Sequence, residues 1–196
     1  MQVDDAGRPN PQFDVLAVCT GNICRSPAVE RLLAAELGAF SKIRVASAGV
    51  GAVVGAPIPA SMASLLRGVG AAAEGFAARQ LTEQMLRETD LVLALTRRHR
   101  SRVVELYPGI VRRTFILREL ARLVGAVDQA ALPAGSESER LAALLPLAAA
   151  QRGLHRPQAP DADDVVDPWG GDDALYRRAF DQVRPAVAEI ARVVRG

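Results

Sequence analysis

The side chains best able to do chemistry stand almost side by side: Cys19, Thr20, Gly21, Asn22, Ile23, Cys24, Arg25 and Ser26. Both cysteines of the chain fall within these eight residues. Gly21 gives the backbone free φ and Asn22 tolerates left-handed values, so the chain can turn tightly between Cys19 and Arg25. Such a turn points successive backbone N–H groups inward, and with a helix N-terminus behind it forms an anion cradle. Arg25 adds a planar fork able to hold two oxygens of a phosphate. The same donors favour the thiolate form of Cys19. A thiolate beneath a bound phosphoryl group is an attacking nucleophile, and the cradle then stabilises charge on the equatorial oxygens. Ser26 can donate to the sulfur and help it leave in a second half-reaction.

Attack by sulfur requires a proton for the departing oxygen, which the thiolate cannot supply. The candidate donor is Asp167 in "VVDPWGG", where Pro168 biases the aspartate to an extended backbone. The same carboxylate can later take a proton from a hydrolytic water. The competing reading of this stretch is a plain Asp-Pro turn before the last helix. A structural zinc site needs four suitably spaced ligands. Two cysteines with four residues between them, plus His99 and His155, do not meet that need. No G-x-x-x-x-G-K-[ST] nucleotide loop is present. Neither a metal nor a cofactor is therefore expected.

Elements must hold these groups in place. Apolar runs at 13–18, 43–49, 91–95 and 113–117 read as buried strands. Helical patterns follow at 26–38, with Ser26 as cap and Pro27 in the first turn, and at 58–70, 82–90, 97–109 and 118–125. The stretch 172–194 reads as a long amphipathic helix with Leu175, Ala179, Val183, Val187, Ile190 and Val194 on one face, and Pro185 as a possible kink. Strand and helix alternate, which calls for an α/β fold of three layers: a four-stranded parallel sheet with helices on both faces. Sites in such sheets lie beyond the carboxyl ends of the strands, where Cys19 falls.

Residues 1–12 are expected to be a mobile tail, and 13–196 a single domain with an insertion at about 126–164. The stretch 126–164 is expected to hold one helix, interrupted at Pro146, and either to cover the pocket rim, to serve as a contact surface or to be a passive surface insertion. A net charge of +2 in 196 residues is too weak to imply nucleic acid. The run "RRHRSR" (97–102) reads as a solvated helix face. No apolar run is long enough for a bilayer and no leader pattern precedes the first strand, so a cytoplasmic protein with reduced thiols is expected.

"VCTGNICRSP" (18–27) resembles the phosphate loop of the low-molecular-weight protein tyrosine phosphatases. The likeness continues through "SAG" (47–49), "ARQLTEQMLRETDLVLAL" (78–95), "RRHRSRVVELYP" (97–108) and "VDPWGG" (166–171). It implies the phosphotyrosine phosphatase I-like sheet and metal-free hydrolysis of phosphomonoesters. It casts Cys19 as nucleophile, Arg25 as phosphate clamp and Asp167 as general acid. Thr20, Gly21, Asn22, Ile23, Cys24, Ser26 and Trp169 would contact substrate, and Ser47 would support the loop through Asn22. Cys24 would be a redox partner able to close a reversible disulfide with Cys19. Substrates implied are phosphotyrosine protein or small aryl and sugar phosphates.

The chain departs from that pattern in places. "GFAAR" puts Phe76 where members often have histidine, which removes one expected support of Asn22. Leu95 and Thr96 replace Met-Asp, and Gly170 stands where a second aromatic is common. Two rivals stay open on sequence: an arsenate reductase using an external thiol, and a catalytically weak phosphate-recognition module.

Overall fold

The structure is a computed structural model and describes residues 12–38 and 41–196. The tail expected at 1–12 lies, but for Gln12, outside the described residues. Four strands form one parallel sheet in the order β2-β1-β3-β4. They are β1 (Phe13–Cys19), β2 (Ile43–Gly49), β3 (Leu91–Ala94) and β4 (Thr114–Ile116). In register, Cys19 lies beside Gly49 and Val18 beside Ala94. The central strand therefore ends on Cys19, with neighbours on both sides.

Strand alternation divides the core in two. Val15, Ala17 and Cys19 point to one face with Leu93 and Phe115, while Leu16 and Val18 point to the other with Val92. The first face is covered by α1 (Arg25–Leu37), α2 (Ala60–Arg67), α5 (Leu117–Val124) and α7 (Asp173–Arg195). Leu86 of α3 (Glu83–Arg87), Val103 of α4 (Arg97–Leu106) and Ile110 of a 3-10 turn cover the second. Of the α7 stripe, Ala179, Val183, Val187, Ile190 and Val194 are buried, while Leu175 at the start of the helix is only half-buried.

Three local expectations are corrected. Ser26 does not cap α1: the helix begins at Arg25 with Cys24 as its flanking residue and no side-chain cap. The hydroxyl is drawn to the sulfur of Cys19 and the amide of Asn22 instead. Pro146 does not break α6 (Glu137–Ala150). A proline costs one backbone bond, and α6 offsets this by burying Leu141, Leu144, Leu145 and Ala148 and by a capping box at Ser136 and Glu139. The strand expected at 113–117 shortens to three residues because Leu117 already opens α5.

Helix α6, from the stretch 126–164, packs on α5 and α7. Its return is tied down by Arg152 to Glu119 at 2.8 Å and Arg122 to Asp163 at 2.6 Å. It thickens the helical layer and does not reach the cavity beside Cys19, so the expected rim cover is not found there.

Candidate active site

The loop after β1 is pulled outward by its carbonyls. Those of Cys19, Thr20 and Gly21 accept hydrogen bonds from the amides of Val50, Gly51 and Val53 at 3.0, 3.1 and 3.0 Å. No peptide among the described residues is cis. In a trans peptide the N–H opposes the C=O, so the next N–H groups, of Thr20, Gly21 and Asn22, face the loop interior. The close approach depends on Gly49. A Cβ there would sit 2.3 Å from the carbonyl oxygen of Thr20.

Asn22 is the one described non-glycine residue with positive φ, at 52°. It is fully buried, and its side chain fixes the turn. Its Nδ2 donates to Ser26 Oγ at 3.0 Å and to Ser47 Oγ at 2.8 Å. Its Oδ1 accepts the backbone N–H of Arg79 at 2.8 Å. Ser47 in turn donates to Glu30 Oε2 at 2.6 Å. Ser26 Oγ lies 3.0 Å from Cys19 Sγ. Phe76 takes no part in this network; its ring lies under the Arg31 guanidinium at 5.7 Å.

Arg25 is 5% exposed and reaches across to the loop before α7. Its Nη2 lies 2.7 Å from Asp167 Oδ2, and its Nη1 donates to Val165 O at 3.3 Å. That loop is fastened on several sides. Val165 N–H donates to Leu95 O at 2.9 Å, Val166 N–H to Gln182 Oε1 at 2.9 Å, and Asp164 Oδ1 accepts from the Arg97 amide at 2.8 Å. Asp167 Oδ1 also accepts the N–H of Trp169 at 3.2 Å. The next turn needs a left-handed residue, and Gly170 with φ of 75° supplies it, which explains the missing second aromatic.

Cys19, Arg25 and Asp167 thus line one cavity of about 230 Å³. Thr20, Gly21, Ile23 and Cys24 join them from the loop, with Gly51 and Val53 on one wall and Trp169 on another. Trp169 is 64% exposed at the mouth, so it is not a core residue. Asn22, Ser26 and Ser47 lie behind the lining, in the support layer. Larger surface hollows elsewhere contain neither cysteine. Both cysteines are free thiols. Cys24 donates to Tyr176 Oη at 3.7 Å, and burial pushes its thiol up to about 11. Among the described residues no three His, Cys, Asp or Glu side chains gather as metal ligands would.

Two supports escaped the sequence. His99, hidden in the basic run, is 4% exposed, while Arg97, Arg98 and Arg102 around it are solvated. Its Nε2 lies 2.9 Å from Thr20 Oγ1 and its Nδ1 2.9 Å from Thr96 Oγ1, so α4 clips the loop. Burial first, then the nearby Arg25 charge, lowers its pKa to about 4. Thr96, a departure from the resembled pattern, caps α4 by accepting from His99 N–H at 3.2 Å. Glu30 was read only as part of a helix. A glutamate in an amphipathic stretch carries no mark of its contacts, so no local signal could have found it.

A doubly covered parallel sheet with a Cys-x5-Arg loop at the end of its central strand defines a narrow class of α/β proteins. The chain belongs to the low molecular weight phosphotyrosine protein phosphatase family, whose sequence pattern matches residues 14–132. It is 41% identical over 102 residues to the low molecular weight protein-tyrosine-phosphatase Etp of Escherichia coli K12, covering 52% of this chain and 67% of that one. Vibrio vulnificus Wzb, solved in complex with benzylphosphonate, superposes with a TM-score of 0.66 at 21% identity, covering 92% of this chain and 98% of that one. The YwlE arginine phosphatase of Geobacillus stearothermophilus gives 0.65 at 27% identity, covering 92% and 91%. The α/β fold with its four-stranded parallel sheet is that of these phosphatases. No helix among the described residues is long and apolar enough to cross a membrane.

Proposed function

We propose that the chain hydrolyses phosphomonoesters through a cysteinyl-phosphate intermediate, with protein phosphotyrosine as its main substrate. The observation that carries this reading is the convergence of a thiol, a guanidinium and a carboxylate on one small cavity, with Asp167 Oδ2 only 2.7 Å from Arg25 Nη2. A phosphoryl group in the loop competes with Asp167 for the guanidinium, because Arg25 presents one fork to both. Arg25 then holds two phosphoryl oxygens while the inward amides take the rest. The Cys19 thiolate attacks phosphorus as the ester P–O bond breaks. Asp167, facing the leaving oxygen, gives it a proton. In the second half a water attacks phosphorus, Asp167 takes a proton from that water, and the P–S bond breaks as the thiolate departs, assisted by the Ser26 hydroxyl.

The walls favour an aryl ester. Ile23, Val53 and Trp169 present apolar surface beside the cradle. A phosphoarginine side chain would bring a guanidinium that needs several acceptors, and among lining side chains only Asp167 carries a carboxylate. The reading includes a cytoplasmic location, where both thiols stay reduced. It also includes Cys24 as a second thiol able to close a reversible disulfide when Cys19 is oxidised.

The test is hydrolysis of p-nitrophenyl phosphate without added metal, its inhibition by vanadate, and its loss in Cys19→Ser. Activity surviving in that variant rules the mechanism out. Phosphotyrosine and phosphoarginine peptides of one sequence then decide the substrate class. Preference for the phosphoarginine peptide, whose P–N bond would then be the one broken, would overturn the argument from the walls.

A further inference from the structure

We propose that Glu30, on the second turn of α1 and outside the anion loop, is a positioning residue that sets the direction of the hydrogen-bond chain ending on the Cys19 sulfur; this rests on Cys19 being the nucleophile. The direction follows from counting hydrogens. Asn22 Oδ1 accepts the Arg79 amide at 2.8 Å, so its amide orientation is fixed and both remaining hydrogens sit on Nδ2. One goes to Ser26 Oγ at 3.0 Å and the other to Ser47 Oγ at 2.8 Å. Each serine hydroxyl has one hydrogen of its own. Ser47 spends it on Glu30 Oε2 at 2.6 Å. Ser26 is left free to direct its own to Cys19 Sγ at 3.0 Å.

An ionised carboxylate accepts only, so Ser47 cannot turn round while Glu30 stands there. Ser47 is fully buried, which leaves no solvent to replace the carboxylate. Glu30 is itself held by Arg31 Nε at 3.6 Å from Oε1 and Arg79 Nη2 at 3.9 Å from Oε2. Arg79 also donates from Nε to the Ser47 carbonyl at 2.6 Å. The carboxylate thus ties α1, β2 and the strand-like segment at Arg79 into one support behind the loop. Without an acceptor at position 30 the Ser47 hydrogen is orphaned. The Ser47 hydroxyl then turns, Asn22 Nδ2 loses one of its two acceptors, and the side chain that holds Ser26 as a donor to sulfur is held less firmly.

The experiment uses the full chain and its variants Glu30→Ala, Glu30→Gln, Ser47→Ala and the double Glu30→Ala/Ser47→Ala. Three quantities are measured: kcat and KM on p-nitrophenyl phosphate, the rate of iodoacetamide alkylation of Cys19 at one pH followed by peptide mass, and Tm. Glu30→Ala is expected to lower both kcat and the alkylation rate about tenfold, the loss of one hydrogen bond to a charged group, with KM little changed. Glu30→Gln keeps an acceptor in Oε1 and recovers most of both. The double variant falls no further than Ser47→Ala, since the two act through one bond. Unchanged kcat and alkylation in a folded Glu30→Ala overturn the proposal, as do losses that add in the double variant or a glutamine no better than alanine. If Glu30→Ala does not fold, Glu30→Leu refills the volume and carries the same expectation. Alkylation needs no substrate, so an inactive parent chain with this alkylation pattern rejects the phosphatase reading and leaves the positioning role standing.

Discussion

Acid should destabilise this protein through one buried imidazole, and the size of the effect can be worked out. His99 is clipped between Thr96 and Thr20, shut away from solvent, and its pKa falls from 6.5 to about 4. Burial is the largest cause; the charges of Arg25 and Arg98 add to it, and Asp167 partly offsets them. Above pH 6.5 the ring is neutral whether the chain is folded or not, so it adds no pH dependence. Below 6.5 the unfolded chain binds a proton that the folded chain refuses, and stability falls as pH falls. The loss is complete near pH 4, where the folded ring also titrates. At ~1.4 kcal/mol per tenfold difference in proton affinity, the gap comes to roughly 3 kcal/mol. Carboxylates titrate in part of the same range, so the comparison is with His99→Gln, whose terminal amide can still reach Thr20. Urea unfolding from pH 7.5 to 4.5 should show the wild type losing roughly 3 kcal/mol more than the variant across the window. Parallel curves for the two proteins would refute the reasoning. So would an imidazole NMR titration of His99 centred at its ordinary value.

Asp167→Asn should lower kcat for aryl phosphates about a hundredfold, because an amide cannot pass a proton; stopped-assay kinetics at pH 6 to 7 check it, and an unchanged kcat points to another acid. Gly49→Ala should cost at least ~1–3 kcal/mol in chemical denaturation, since its Cβ meets the Thr20 carbonyl at 2.3 Å and either β2 or the loop must move. The same variant should bind phosphate more weakly in calorimetry, the cradle being displaced. Trp169→Ala should raise KM for aryl esters several-fold and leave Tm within about a degree, because the ring is 64% exposed and packs on little.

The pattern of residues 13–49 carried its own instructions. A short apolar run, a Gly-Asn turn and a helix-starting Ser-Pro are local signals, and local conformational preferences decide them. They yielded β1, the loop and α1 almost to the residue, and the strand–helix alternation yielded the parallel sheet. Proline misled because its cost is local while its compensation is not. Pro146 stays inside a helix whose buried leucines and alanine outweigh one missing hydrogen bond. Ser26 misled for a related reason: a hydroxyl that can cap a helix was claimed by the Cys19 sulfur and the Asn22 amide.

The sequence by itself determined which groups could react and the turn that brings Cys19 and Arg25 together, because seven consecutive residues have little freedom once φ at Gly21 and Asn22 is chosen. Tertiary structure alone decided the rest. Asp167 meets Arg25 from far along the chain because the Asp164–Val166 segment is bonded to Leu95 just past β3, to α4 and to α7. His99 is inside and its arginine neighbours outside because one face of α4 meets the sheet. Glu30 reaches Ser47 because α1 packs along β2. Such contacts depend on where whole elements dock, and docking is set by the sum of buried surfaces, which no single stretch of sequence displays.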